Sequence, residues 1–234
     1  MQKYKKVRTI GKGSFGYAVL VRNVEELDSL SVMKIIDIEK MTQKQREESL
    51  TEIKCLRSLD HPFIIKYKES FIEKKALCIV MDYADGGDLY GLINGYKERK
   101  QLMEESLVVR IFAQVCMALQ AVHNKKILHR DLKTQNVFLT TQMQVKLGDF
   151  GIARILQHTY DLAKTAIGTP YFLSPEICQD LPYNSKSDVW SLGCILYEML
   201  TGKVPFEGTT PTSLMFKHVT AMPPPLLRSN PKLK

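Results

Sequence analysis

The segment Leu128-His-Arg-Asp-Leu-Lys-Thr-Gln-Asn136, followed by Gly148-Asp-Phe-Gly151, brings together two carboxylates (Asp131, Asp149), an amide (Asn136) and a lysine (Lys133). The apolar runs Val137-Phe138-Leu139 and Val145-Lys146-Leu147 flank the polar stretch Thr140–Met143 and read as two short strands of a hairpin. Pairing about that turn is expected to set Asn136 opposite Asp149, with Asp131 one short loop away. Oxygen donors of this kind suit a hard divalent cation. Mg²⁺ takes only one or two ligands from protein and completes its shell with water and phosphate. This is a phosphoryl-transfer site in outline.

Other elements would have to present a nucleotide to those groups. The glycine spacing of Gly11-Lys12-Gly13-Ser14-Phe15-Gly16 also serves dinucleotide folds, but there a helix follows the glycines directly. Here Tyr17-Ala-Val-Leu-Val21 alternates as a strand, so the glycines belong to a hairpin whose backbone can close over phosphates. Leu30–Ile36 reads as the next strand, and period-two alternation puts Val32, Lys34 and Ile36 on one face. A lysine among apolar neighbours needs a partner. Thr42 opens a helical stretch with Gln45 in capping-box position, and Leu50, Ile53, Leu56 and Leu59 form a stripe that faces the sheet. Glu52 lies beside that stripe, within reach of Lys34.

Tyr4–Ile10, Tyr17–Arg22, Ile64–Phe71 and Ala76–Met81 read as further strands. Past Asp82–Gly87 the character changes. Glu104–Lys125 is an amphipathic helix, with Leu107, Val108, Ile111, Phe112, Val115, Leu119 and Val122 on one side. Ser187–Thr201 is apolar nearly all round, which argues burial, and Gly202 is a natural stop. A further helix lies near Pro211–Thr220, and Met222–Pro225 reads as extended. The chain thus divides into a strand-rich part (1–81), a hinge (82–85) and a helix-rich part (86–234).

The set Gly-rich hairpin, Lys34, His129-Arg-Asp131, Asp149-Phe-Gly151 and Pro175-Glu176 resembles that of the eukaryotic protein kinases. The wording of His129–Leu139, Gly148–Arg154 and Gly168-Thr-Pro-Tyr171 is most similar to the NIMA-related (Nek) Ser/Thr kinases, from about Tyr4 to about Phe216. The resemblance implies an α+β, bilobal kinase fold with a small β-rich lobe and a larger helical lobe. It implies an enzyme that uses ATP and Mg²⁺ to phosphorylate Ser/Thr of protein substrates. In that scheme Asp131 is the base or orienter of the substrate hydroxyl, Lys133 reaches the transferring phosphate, and Asn136 and Asp149 hold Mg²⁺. Lys34, kept in place by Glu52, holds the α- and β-phosphates. Ile10, Gly11, Lys12, Gly13, Ser14, Phe15 and Gly16 cover the nucleotide. Ala18 and Val32 roof the adenine, Met81 is the gatekeeper, Asp82 and Ala84 offer backbone hydrogen bonds, and Phe138 is the apolar floor. Ala18 stands where the kinase pattern has valine, which implies weaker packing. His129, Phe150, Leu56 and Tyr67 would stack between the lobes, with Asp188 anchoring the base of that stack. Thr165 would be an activating phosphosite, its phosphate paired with Arg130 and Arg154. Thr169 would contact Asp131 and Lys133, and Trp190 would be core.

Composition restricts the alternatives. A hydrophobic share of 44% and a charged share of 25% over 234 residues describe an ordinary globular chain. The net charge of +8 is spread along the sequence, so a nucleic-acid partner is not expected. The five cysteines are scattered without metal-ligand spacing, which predicts free buried thiols in a reducing compartment. No signal-type apolar run follows the basic N-terminus. The densest apolar segment, Val189–Leu200, is too short to span a bilayer and contains Glu198. An intracellular, cytoplasmic protein without a membrane span is the expectation.

One feature departs from the family pattern. A kinase large lobe carries two further helices, one of them with the Arg that pairs with the Glu of Pro175-Glu176. The sequence stops at Lys234, so the fold is expected to be truncated before those helices and Glu176 to lack its expected Arg: the sequence is a fragment of a longer chain, or needs a partner, or Glu176 is solvated or paired otherwise. A buried carboxylate left uncompensated costs on the order of 3–5 kcal/mol. That break supports a rival reading, a pseudokinase or scaffold that binds nucleotide or partners without phosphoryl transfer.

Overall fold

The computed structural model describes the chain apart from residues 1–2, 14–15, 27–28, 40, 44–48, 50–52, 55, 149–169, 227–229 and 231–234. β-Branched and aromatic runs form a five-stranded antiparallel sheet: β1 (Tyr4–Gly13), β2 (Gly16–Asn23), β3 (Leu30–Asp37), β4 (Tyr67–Glu73) and β5 (Ala76–Asp82). The order is β1-β2-β3-β5-β4, so β3 is central and pairs on both sides. β1 is an edge, and its exposed Lys5, Lys6, Arg8 and Lys12 are the charges that discourage another strand from adding there.

Register sets two distinct faces. Val19, Met33 and Val80 stand opposite one another and, with Tyr4, Val21, Ile35 and Cys78, make one buried cluster. On the other face Ile36 and Leu77 pair, Lys34 pairs with Ala18 and Ile79, and Ile53 with Leu56 packs over them. Residues 53–54 and 56–58 are helical, and Ile53 and Leu56 of the predicted stripe face the sheet; Leu59 joins the main core instead, and Leu50 lies outside the described residues.

The run Ile64–Phe71 behaves differently from the single strand expected of it. β4 begins only at Tyr67, while Ile64 forms a parallel bridge to Leu147. Ile65 N–H donates to the Leu147 carbonyl (2.8 Å), and Leu147 N–H donates to that of Phe63 (2.8 Å). One run is therefore shared between two sheets.

The second part is helical: α1 (Leu89–Glu98), α2 (Glu105–Asn124), α3 (Pro175–Cys178), α4 (Ser185–Thr201) and α5 (Pro211–Thr220), with a hairpin of β6 (Val137–Leu139) and β7 (Val145–Leu147) between α2 and α3. Local chemistry sets the ends. Asp88 caps α1 through Gly91 N–H (2.7 Å). Asn184 and Ser187 form a capping box that starts α4 two residues before the predicted Ser187, and Gly202 ends it in the left-handed region (φ 68). Thr210 and Ser213 cap α5, with Pro211 in the first turn. Val108, Ile111, Val115, Ala118, Leu119 and Val122 of α2 join Leu192, Ile195 and Met199 of α4 in the main core. Among the described helices α2 alone is long and apolar enough to cross a membrane by length and composition. Its apolar stripe is spent inside this core. Trp190 is half-buried and stacks on Phe206 (5.9 Å between centroids).

Candidate functional site

The loop between α2 and β6 is assembled around one carboxylate. Asp188, in the first turn of α4, is fully buried. Its Oδ2 accepts from His129 N–H (2.9 Å) and lies 2.8 Å from His123 Nε2; its Oδ1 accepts from Arg130 N–H (3.0 Å) and from the Tyr183 hydroxyl. Arg130 is thereby held at φ 66, a left-handed conformation that non-glycine residues rarely adopt. Buried His129 reaches across to the Gly148 carbonyl (3.1 Å) from its Nε2, which ties this loop to the end of β7. The anchoring role expected of Asp188 is borne out in its hydrogen bonds. Leu56 and Tyr67 pack against one cluster in the small lobe. Phe150, the remaining member of the expected stack, lies outside the described residues.

On this frame three of the predicted residues converge. Lys133 Nζ donates to Asp131 Oδ2 (2.8 Å), and Asn136 Nδ2 donates to the same oxygen (3.0 Å) and to the Asp131 carbonyl (2.6 Å). Asn136 is buried, whereas the side chains of Asp131 and Lys133 keep 19% and 36% of their surface, enough to meet a ligand. Below them Thr134 donates to Glu198 Oε2 (3.2 Å); burial pushes the Glu198 carboxyl up, and the Thr134 hydroxyl offsets part of that. The hairpin register corrects one expectation. Val137 pairs with Leu147 and Leu139 with Val145, and Gly148 N–H donates to the Asn136 carbonyl (3.1 Å), so the residue across from Asn136 is Gly148 and not Asp149. Five residues, 140–144, separate the paired Leu139 and Val145, one fewer than a pairing of Asn136 with Asp149 requires. Asp149 itself is outside the described residues.

The nucleotide-facing residues are placed by the small sheet. Ala18 lies opposite Lys34 and Val32 opposite Met81, so these four share one face. All four are half-buried, as are Asp82, Ala84 and Phe138, while the flanking Val80, Val137 and Leu139 are fully buried. An apolar rim left partly open beside a sealed core fits the flat face of a base. Ile10, Gly11 and Lys12 are exposed at the end of β1, with Gly11 across from Ala18 and Gly13 across from Gly16. A Cβ on Gly16 would come within 1.9 Å of the Ile35 carbonyl oxygen, so this turn admits no side chain there. Ser14, Phe15, Glu52, Arg154, Thr165 and Thr169 lie outside the described residues.

Glu176 is paired otherwise. It is half-buried and has a partner: the Ser187 hydroxyl donates to it. Burial pulls its pKa up, but Ser187 and its own backbone N–H outweigh this and hold the carboxyl below its ordinary value. A residue of α4 thus supplies the hydrogen bond that an Arg was expected to give. The four described cysteines are free thiols; burial raises the pKa of each, to about 11 at Cys178 and about 12 at Cys194. They are poor nucleophiles. Among the described residues no group of three or more His, Cys, Asp or Glu is placed to hold a metal.

Several contributors were missed from sequence. His123 and Tyr183, which complete the Asp188 shell, carry no motif of their own. The signal that pointed to them was Asp188 itself, a carboxylate opening an apolar helix, which must find donors if buried.

Comparison with known proteins agrees with this geometry. Residues 4–229 match the family described as protein kinase domain. The chain is 50% identical over 97% of its length to serine/threonine-protein kinase Nek1 of Mus musculus, covering 18% of that protein. It is 47% identical over 93% of its length to serine/threonine-protein kinase Nek5 of Homo sapiens, covering 30%. It is 44% identical over 100% of its length to serine/threonine-protein kinase Nek8 of Danio rerio, covering 33%. The chain therefore spans a third or less of the length of these relatives.

Proposed function

We propose a function on the premise that this chain belongs to the protein kinase domain family, within its NIMA-related serine/threonine branch: it transfers the terminal phosphoryl group of Mg²⁺-bound ATP to serine or threonine hydroxyls of proteins. The observation that carries this reading is the convergence of Lys133 and Asn136 on one Asp131 oxygen. ATP with Mg²⁺, when bound, supplies the transferable phosphoryl group and the charge that stabilises its displacement. The remaining chemistry belongs to the chain.

Asp131, held by two donors, orients the acceptor hydroxyl and takes its proton at the carboxylate. The transition state is loose, so its main contribution is position rather than basicity. Lys133 keeps a cation where negative charge develops. Asn136 spends its Nδ2 on Asp131 and has Oδ1 as its other polar atom, the hard donor that Mg²⁺ accepts. Asp149 would be the second protein ligand. Ala18, Val32, Met81 and Phe138 would enclose the adenine, and Lys34 would bind the phosphates. The stretch 82–85 would be the hinge between lobes 1–81 and 86–234.

Labelled ATP and casein, assayed with the wild-type chain and Asp131→Asn, test the reading. Transfer by the wild type that falls about a hundredfold or more in the variant supports it. Nucleotide binding by the wild type with no transfer above the Asp131→Asn level would overturn it in favour of a nucleotide-binding scaffold.

A further inference from the structure

The pairing of β4 with β5 slips by one residue. Tyr67 stands opposite Met81 and Glu69 opposite Val80, which leaves Lys68 as the extra residue of a bulge. Bulges re-aim a side chain and recur beside functional sites. Here the Lys68 ammonium lies 3.4 Å from Asp82 Oδ1 and donates to Ser31 Oγ (2.9 Å), with Ser29 Oγ at 3.5 Å. Ser31 is buried on β3 directly across from Asp82. Asp82 N–H also donates to the Lys66 carbonyl (2.9 Å), so both the backbone and the side chain of Asp82 are tied to the start of β4.

The other end of the same segment is tied as well. Asp85 Oδ1 accepts from Thr141 N–H (2.9 Å) and Oδ2 from the Thr141 hydroxyl (3.2 Å). Gly86 N–H donates to the Leu139 carbonyl (2.8 Å), and Leu139 N–H donates to that of Gly87 (2.8 Å). A Cβ on Gly86 would sit 2.4 Å from the Thr140 carbonyl oxygen, so the chain passes too close for any side chain. Tyr83 and Ala84 thus lie between two fixed posts, one of which is an ion pair aimed by a bulge.

We propose that Lys68 is a positioning residue for the nucleotide: by clamping Asp82 against β3 and β4 it sets the backbone groups of Asp82 and Ala84 at the height adenine requires. This rests on the assignment of those groups to adenine in the function proposed above. About a third of each partner's side chain is exposed (31% and 35%), and pairs this exposed contribute little to stability. The clamp should therefore register in nucleotide affinity and not in unfolding.

The test measures KM for ATP, kcat and the thermal midpoint of the purified chain carrying Lys68→Met, Lys68→Arg, Asp82→Asn and the Lys68→Met/Asp82→Asn pair. Lys68→Met is expected to raise KM for ATP about fivefold, with kcat within about twofold of wild type and an unchanged midpoint. Lys68→Arg should return KM to within about twofold, because the charge and its reach persist. Asp82→Asn should match Lys68→Met, and the pair should add nothing further, as coupled partners require. An unchanged KM in folded Lys68→Met, or additive effects in the pair, overturns the clamp. So does a Lys68→Met chain that fails to fold, since Lys68 would then be a stability residue. A wild-type chain that neither binds ATP nor transfers phosphate instead defeats the parent assignment, an outcome read before any variant is compared.

Discussion

Two carboxylates of this molecule each gather several donors and do opposite work. Asp188 is fully buried at the base of the loop between α2 and β6, with two backbone N–H groups, His123 and Tyr183 around it. Glu69 is on β4 at the rim of the small lobe, 37% exposed, with Lys3 and the Tyr4 hydroxyl donating to it. Hydrogen-bond number separates them only twofold, four partners at Asp188 against two at Glu69. Burial separates them, because a donor removed inside a protein cannot turn to water, whereas one at the rim can. The large-lobe side of the site rests on a sealed polar network, whereas the small lobe is a strand ladder with screened charges at its edge, on the face away from Ala18, Val32, Lys34 and Met81.

The same chemical change, carboxylate to amide, should break this comparison open. In Asp188→Asn each position once held by oxygen still faces a backbone N–H, from His129 on one side and Arg130 on the other. Whichever way the amide turns, its NH₂ meets a donor. The loss should be about 3 kcal/mol in denaturant unfolding, together with most of the transferase activity, since Arg130 is then free to leave φ 66. Retention of full stability would show that Asp188 is no anchor.

That network also marks the limit of what the sequence discloses. Strand and helix identities, the Gly202 stop of α4, and the Asp131–Lys133–Asn136 cluster follow from periodicity and motif, because short-range sequence order sets them; the Asn184 and Thr210 caps are not read from it. The Asp188 shell joins α2, the loop between α2 and β6 and the segment before α4, and no local pattern reports that such distant chain meets. Bulges are equally silent. Neither the Lys68 slip nor the one-residue offset that puts Gly148 across from Asn136 changes composition. The run Ile64–Phe71 reads as a strand along its length, and only the competition of two sheets divides it. Glu176 was expected to need an Arg because charge is visible in sequence and the nearness of Ser187 is not.

A buried polar group with no such shell gives the intermediate case. His218 on α5 is almost fully buried against Phe206 and Trp190, and among the described residues neither ring nitrogen has a well-aligned hydrogen-bond partner. Burial pushes its pKa down to about 4, and the Pro170 carbonyl offsets this only in part. The unfolded chain binds this proton near pH 6.5, so the unfolded state holds more protons between about pH 6.5 and about pH 4. Stability is whole above that window and falls as the pH drops through it, by about 2 kcal/mol at pH 5. His218→Phe should flatten the loss between pH 7 and pH 5 in urea melts. An equally steep loss in that variant would assign the acid sensitivity to other groups.

The smallest effect is expected at the rim. Lys3 and Tyr4 together hold the Glu69 carboxyl below its ordinary value, against a modest opposing pull from burial. Burial, then Glu69, raises the pKa of the Tyr4 phenol, so its proton stays in place to donate. Glu69→Gln keeps an acceptor oxygen for that hydroxyl and removes only the charge facing Lys3, an ion pair open to solvent and salt. The thermal midpoint should move by less than about 2 °C at low salt, and the difference should vanish at about 0.5 M salt. A shift approaching that of Asp188→Asn would mean that this edge is as sealed as the loop between α2 and β6. The contrast between the two regions would then reduce to one of hydrogen-bond number, four against two.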